Sequence, residues 1–105
     1  MGNGWSVDAS ADGVSRVVVT AEMDLALEEP LVALVAERLA GGATARVLLD
    51  LGAVRFIDSS GVRALLRVHL DHGDAVQLTA VSDSVRQVLD IAGLGQLLPP
   101  NGTAR

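Results

Sequence analysis

Apolar and polar positions alternate with two different periods along this chain, and the switches between them mark its elements. Val14 to Thr20 is rich in β-branched residues, and with Trp5 to Ala9 before it the pair reads as a hairpin. Asp12-Gly13 lies between them, a turn dipeptide that supplies positive φ. Glu28-Glu29-Pro30 reads as a helix start, because acids suit the positive end and proline tolerates the first turn. Leu31, Leu34, Val35 and Leu39 then share one helical face, and Gly41-Gly42 ends it.

Arg46 to Asp50 is a short apolar run that reads as a buried strand. Its flanks are helical, which implies parallel pairing through crossovers. Val62, Leu65, Leu66 and His69 form the inner face of the next helix, with Arg63 and Arg67 on another, solvated face, and Gly73 ends it. Ala75 to Thr79 reads as a further strand. Ser82 is an N-cap for a helix through Ala92, closed by Gly93. The order strand, strand, helix, strand, helix, strand, helix predicts an α/β domain. Its sheet is mixed and mostly four-stranded, with helices packed against it. Residues 1–98 form this single domain, and 99–105 read as a flexible C-terminal tail.

Composition narrows the function. The chain has 105 residues, half of them apolar, which suits one core. Its longest unbroken apolar run, Leu31 to Ala36, is far short of the roughly 20 residues that a membrane span needs. The N-terminus has neither the basic nor the apolar region of a secretory signal, and Gly2 with Ser6 fits a myristoylation signal, a reading with little weight if the chain is bacterial. Cysteine is absent, which excludes disulfides and thiolate metal sites. The cytoplasm is therefore the expected compartment. The net charge is -5 and all eight positive side chains are arginine. With one Phe, one Trp and no Tyr, neither a basic surface nor a stacking platform suggests nucleic acid.

Arg46 to Leu70, RVLLDLGAVRFIDSSGVRALLRVHL, carries the most chemistry. A strand leads into Phe56-Ile57-Asp58, and Ser59, Ser60 and Gly61 open a helix. Hydroxyls there lie near unpaired amides and the positive end of the helix dipole, where an anion is favoured. Capping of the helix by Asp58 or Ser59 accounts for part of the pattern. Phospho-acceptance by a serine is the functional alternative, with helix amides partly offsetting the added charge. Gly61 would let another protein's backbone approach closely.

DLGAVRFIDSSGV, Asp50 to Val62, closely resembles the phosphorylation-site motif of the bacterial anti-sigma factor antagonists, small STAS-domain proteins. TAEMDL, Thr20 to Leu25, is similar to the acidic turn of that family, with Ala21 where glycine is usual. VRQVLDIAGL, Val85 to Leu94, resembles its last conserved helix. The resemblance implies a single STAS-like domain, with Ser59 as phospho-acceptor and Asp24 and Asp58 as the acids beside it. It implies an anti-sigma factor with a serine kinase domain as partner and a serine phosphatase as restorer. Unphosphorylated protein would bind the partner and release a sigma factor, in a stress response for example, and phosphate at Ser59 would switch binding off. The surface expected to meet the partner comprises Asp24, Asp58, Ser60, Gly61 and Arg63. The alternative is a STAS subunit or scaffold of a lipid-transport ATPase complex or stress-sensing assembly, without phosphate turnover.

Enzyme readings are disfavoured. Ser59 lacks the G-x-S-x-G elbow and no general base is indicated. His69 and His72, spaced i, i+3, lack further ligands for a metal. Gly93-Leu94-Gly95 follows a helix, whereas a phosphate loop follows a strand. Neither a catalytic residue nor a cofactor is expected.

Overall fold

The computed structural model describes residues 4–9 and 12–99. β1 (Trp5–Ala9) and β2 (Val14–Val19) form the expected antiparallel hairpin, with Trp5 opposite Val19 and Ala9 opposite Ser15. Gly13 takes a φ of 82° at its turn. β3 (Arg46–Leu51) pairs parallel to β2, and β4 (Val76–Val81) pairs parallel to β3. The sheet order is β1-β2-β3-β4, with helices α1 (Leu25–Ala40), α2 (Ser59–His72) and α3 (Asp83–Ile91) between or after strands. The mixed four-stranded α/β architecture is the one the sequence predicts.

Only one face of the sheet is fully covered. Val17, Val19, Val47, Leu49, Leu51 and Val81 are buried, whereas Arg16, Arg46 and Gln77 in the same strands are exposed. The strand period of two puts the buried set on the helix side. Leu31 and Val35 of α1, Leu65 and Val68 of α2, and Val85 and Leu89 of α3 complete the core. Arg38, in the last turn of α1, ties that helix to β2 by donating from Nε and Nη2 to the buried Ser15 Oγ at 3.1 and 3.0 Å.

The structure differs from the sequence pattern at several elements. α1 begins at Leu25, not at Glu28, because Asp24 in extended backbone accepts the Ala26 amide at 3.1 Å and caps the helix. Pro30 is therefore its sixth residue and, having no N–H, leaves the Ala26 carbonyl without its helical partner. In α2 the buried positions are Ser60, Gly61, Ala64, Leu65 and Val68, while Val62, Leu66 and His69 are half-buried. Gly61 lets α2 approach the Met23 backbone closely, and the buried stripe runs on the side of Gly61, Ala64 and Val68 instead of Val62 and Leu66. β4 starts one residue later than expected and runs two further, with a bulge that lets Thr79 Oγ1 donate to the Leu49 carbonyl at 3.2 Å. Of the expected tail, Pro99 is buried, and 100–105 lie outside the described residues. Among the described residues no helix is long and apolar enough to cross a membrane.

Candidate functional site

Two helix starts meet at the end of the sheet. After β3 the chain runs over the buried Val54 and Ile57 to Asp58. There the Met23 amide donates to the Phe56 carbonyl at 2.9 Å, and the Asp58 amide donates to the Met23 carbonyl at 3.1 Å. This short parallel bridge places Asp24, the cap of α1, beside Asp58, the cap of α2. Ser82 secures the other side of the loop, its hydroxyl donating to the Val54 carbonyl at 2.5 Å and accepting from the Val85 amide at 3.2 Å.

Asp58, not Ser59, caps α2. Its Oδ1 accepts from the Ser60 amide at 2.8 Å and the Gly61 amide at 3.1 Å, while its carbonyl accepts from the Val62 amide at 3.0 Å. Three of the first-turn donors expected to offset a phosphate, the Ser60, Gly61 and Val62 amides, are thus already engaged. Ser59 is exposed as the first residue of α2, with its hydroxyl free of the capping role.

The serine pair is divided by burial. Ser60 is 8% exposed, and its Oγ lies 3.4 Å from Arg63 Nη2. Gly61 is also buried, so Ser60 and Gly61 do not present themselves to a partner as the sequence reading expected. The backbone that approaches Gly61 is the chain's own. A β-carbon there would collide with the Met23 carbonyl and lie 2.7 Å from Ile57 Cγ1 and 2.8 Å from Met23 Cβ.

Arg63 and Arg67 are likewise not a free solvated face. Arg63 holds Glu28 of α1 bidentately, Nε to Oε2 at 2.8 Å and Nη2 to Oε1 at 3.0 Å. Arg67 Nη1 reaches Glu28 Oε2 at 3.1 Å and Glu29 Oε2 at 2.7 Å. Glu28 is 5% exposed. The hydrogen bond from Arg63 holds its carboxyl below the usual carboxylate range against the opposing effect of burial, and Arg67 adds to the lowering. Both guanidinium pKa values are raised in return. Sequence reasoning treated Glu28 as a helix-start acid; its pairing with residues some 35 positions away carries no local signal.

Beside Ser59 runs a shallow apolar groove of about 390 Å³, lined by Ile57 and Val62 on one side and Val88, Ile91 and Ala92 of α3 on the other. Ile91 is 79% exposed, and Leu25 and Phe56 near the two caps are 69% and 48% exposed. The sequence reading singled out none of these as a surface. Ile91 sits in the VRQVLDIAGL segment, but its outward direction depends on how α3 docks. Among the described residues no cluster of His, Asp or Glu is placed to hold a metal ion.

A family model described as "Mlab, STAS domain" matches residues 6–99. The chain belongs to the STAS domain family. Solved structures show the same fold in related proteins. This STAS domain matches an anti-sigma factor antagonist from Mycobacterium paratuberculosis with a TM-score of 0.76 and 25% identity, over 91% of this chain and 84% of the other. The unphosphorylated anti-sigma factor antagonist SpoIIAA matches with a TM-score of 0.73 and 23% identity, over 89% and 84%. Phosphorylated SpoIIAA, a Bacillus cell fate determinant, matches at 0.65 and 21%, over 89% and 86%. A search of curated proteins found no significant match.

Proposed function

We propose that this STAS domain is an anti-sigma factor antagonist that is switched off by phosphorylation at Ser59. The observation that carries the proposal is the exposed Ser59 at the head of α2, next to the capping Asp58 and beside a buried Ser60. One hydroxyl of the pair is therefore accessible to a kinase. The similarity to solved anti-sigma factor antagonists supports the same reading.

The partner is an anti-sigma factor with a serine kinase domain that carries ATP, in a bacterial cytoplasm. Unphosphorylated protein docks through the Ser59 edge and the apolar groove, and the sigma factor is released. In the switching step Ser59 Oγ attacks the γ-phosphorus of ATP, its proton passes to a base of the kinase, and ADP leaves. A serine phosphatase restores the hydroxyl by hydrolysing the ester to serine and inorganic phosphate. This chain supplies the acceptor and the surface; the catalytic groups belong to the other proteins.

Phosphate adds a charge of roughly -1.5 to -2 at pH 7. At Ser59 it joins Asp24 and Asp58 beside the apolar groove, so docking would have to bury a bulky group and concentrated negative charge against an apolar surface. Binding weakens at the interface without refolding. Phosphosite mapping of protein from its native cells tests this, because trypsin releases Phe56 to Arg63 as one peptide. Phosphate on Ser59 that changes with stress supports the switch; its absence under every condition overturns it. The groove favours a second reading, docking of a partner helix without phosphate turnover, as in a lipid-transport ATPase complex or a stress-sensing scaffold. Co-purification with a transporter ATPase in place of a kinase would select that reading.

A further inference from the structure

We infer that Arg63 is a phosphate-responsive residue: when Ser59 is phosphorylated, the Arg63 guanidinium leaves Glu28 for the phosphate while Arg67 keeps Glu28 paired. The inference rests on Ser59 as the modified residue and adds how the protein itself answers the modification.

Asp58 Oδ1 already holds the Ser60 and Gly61 amides, and its carbonyl holds that of Val62. A phosphate on Ser59 finds these three first-turn amides of α2 already taken. The capping carboxylates of Asp58 and Asp24 nearby add repulsion, so a cation is needed.

Arg63 is placed to supply it. Residues i and i+4 of a helix have Cβ atoms about 6 Å apart, and side chains lean towards the N-terminus. Arg63 stands four residues after Ser59, and its Nη2 already reaches the first turn, 3.4 Å from Ser60 Oγ. Its side chain is 54% exposed, against 6% for Glu28, so it moves without opening the core.

Glu28 can release it. A buried carboxylate stripped of its partner is strongly disfavoured, but Arg67 Nη1 stays at 3.1 Å from Glu28 Oε2. A guanidinium also binds phosphate bidentately, and a dianion attracts it more strongly than a monovalent carboxylate does. The double pairing of Glu28 thus leaves one arginine free to be redirected, at the loss of one of the α1–α2 links.

The test uses the full chain with phosphoserine installed genetically at 59, so it does not depend on a native kinase. Phosphorus NMR follows the second phosphate ionisation, near pH 6 in the free residue. In Arg63→Gln its pKa rises by on the order of half a unit or more relative to the unchanged sequence, while Arg63→Lys restores part of the difference. Arg67→Gln also raises it, because Arg63 is then retained by Glu28. Asp24 and Asp58 face the phosphate in every variant and cancel in the comparison. Independently, the Arg63 Nε–H resonance shifts when Ser59 is phosphorylated in the unchanged sequence. An identical phosphate titration in Arg63→Gln, or an Nε–H resonance indifferent to phosphate, overturns the inference; should the variant fail to fold, the resonance decides alone. Native cells that never phosphorylate Ser59 would refute the switch and leave this measurement standing.

Discussion

Gly61 lies directly against the Met23 backbone, with no room for a β-carbon between α2 and the turn that starts α1. The obstacle is a carbonyl already fixed by the Asp58 amide, so side-chain adjustment does not relieve it. This contact sets how close the two helix starts come, and with them their capping residues Asp24 and Asp58.

Gly61→Ala is therefore expected to destabilise the fold by about 1–3 kcal/mol, the usual range for overpacking. Chemical denaturation followed by circular dichroism measures it. A stability within experimental error of the unchanged protein would mean that the helix starts separate easily.

Asp58→Ala removes the acceptor of two first-turn amides and should cost about 1 kcal/mol. Ser59→Ala at the adjacent exposed position should change stability by less than about 0.5 kcal/mol. Paired thermal melts check this assignment of the cap, and a larger loss from Ser59→Ala than from Asp58→Ala would reverse it.

The Glu28 carboxyl has a folded-state pKa below its ordinary value. Its stabilising contribution is therefore complete above the unfolded-state value, near 4.5, and declines as pH falls through the lower folded value. Glu28→Gln should reduce stability at pH 7 and flatten the acid limb below about pH 4.5. Denaturation midpoints measured between neutral and acid pH test this; parallel curves for the two proteins would show that the ion cluster contributes nothing to acid sensitivity.

Partner binding should separate charge from side-chain loss at Ser59. Ser59→Ala retains affinity for the anti-sigma partner and Ser59→Asp loses it, by roughly tenfold or more for a desolvated charge costing above about 1.4 kcal/mol. Titration calorimetry with the purified partner reads the difference, and equal affinities would remove the electrostatic basis of the switch.

Ile91 offers a test of the groove. Because its side chain is largely exposed, Ile91→Asp should leave the melting temperature nearly unchanged while weakening partner binding at least tenfold. Undiminished binding would place the interface elsewhere.

Much of this fold is legible in one dimension. The β-branched run at Val14 to Thr20 marked β2, and its antiparallel pairing with Trp5 to Ala9 is the one expected. Apolar spacing placed Leu31 and Val35 inside. The start of α1 was misplaced because Pro30 suits a first turn so well that it masked Asp24, whose capping role shows in the Ala26 hydrogen bond. At the site, the helix start at Asp58 and the serine pair was legible from its motif. Gly61 was assigned to a foreign backbone because sequence shows only that a backbone comes close, not whose it is.

The sequence by itself determined the order of elements, their periods and the position of the Asp58-Ser59-Ser60-Gly61 helix start, since each depends on residues within a turn or two. Tertiary structure decided which serine is exposed, that Glu28 is a buried anion held by Arg63 and Arg67, and that Ile91 faces outward beside Ser59. Those properties depend on segments some 30 residues apart that meet only when α1, α2 and α3 settle on one face of the sheet. Burial and long-range charge pairing are properties of that packing, and local sequence does not encode them separately.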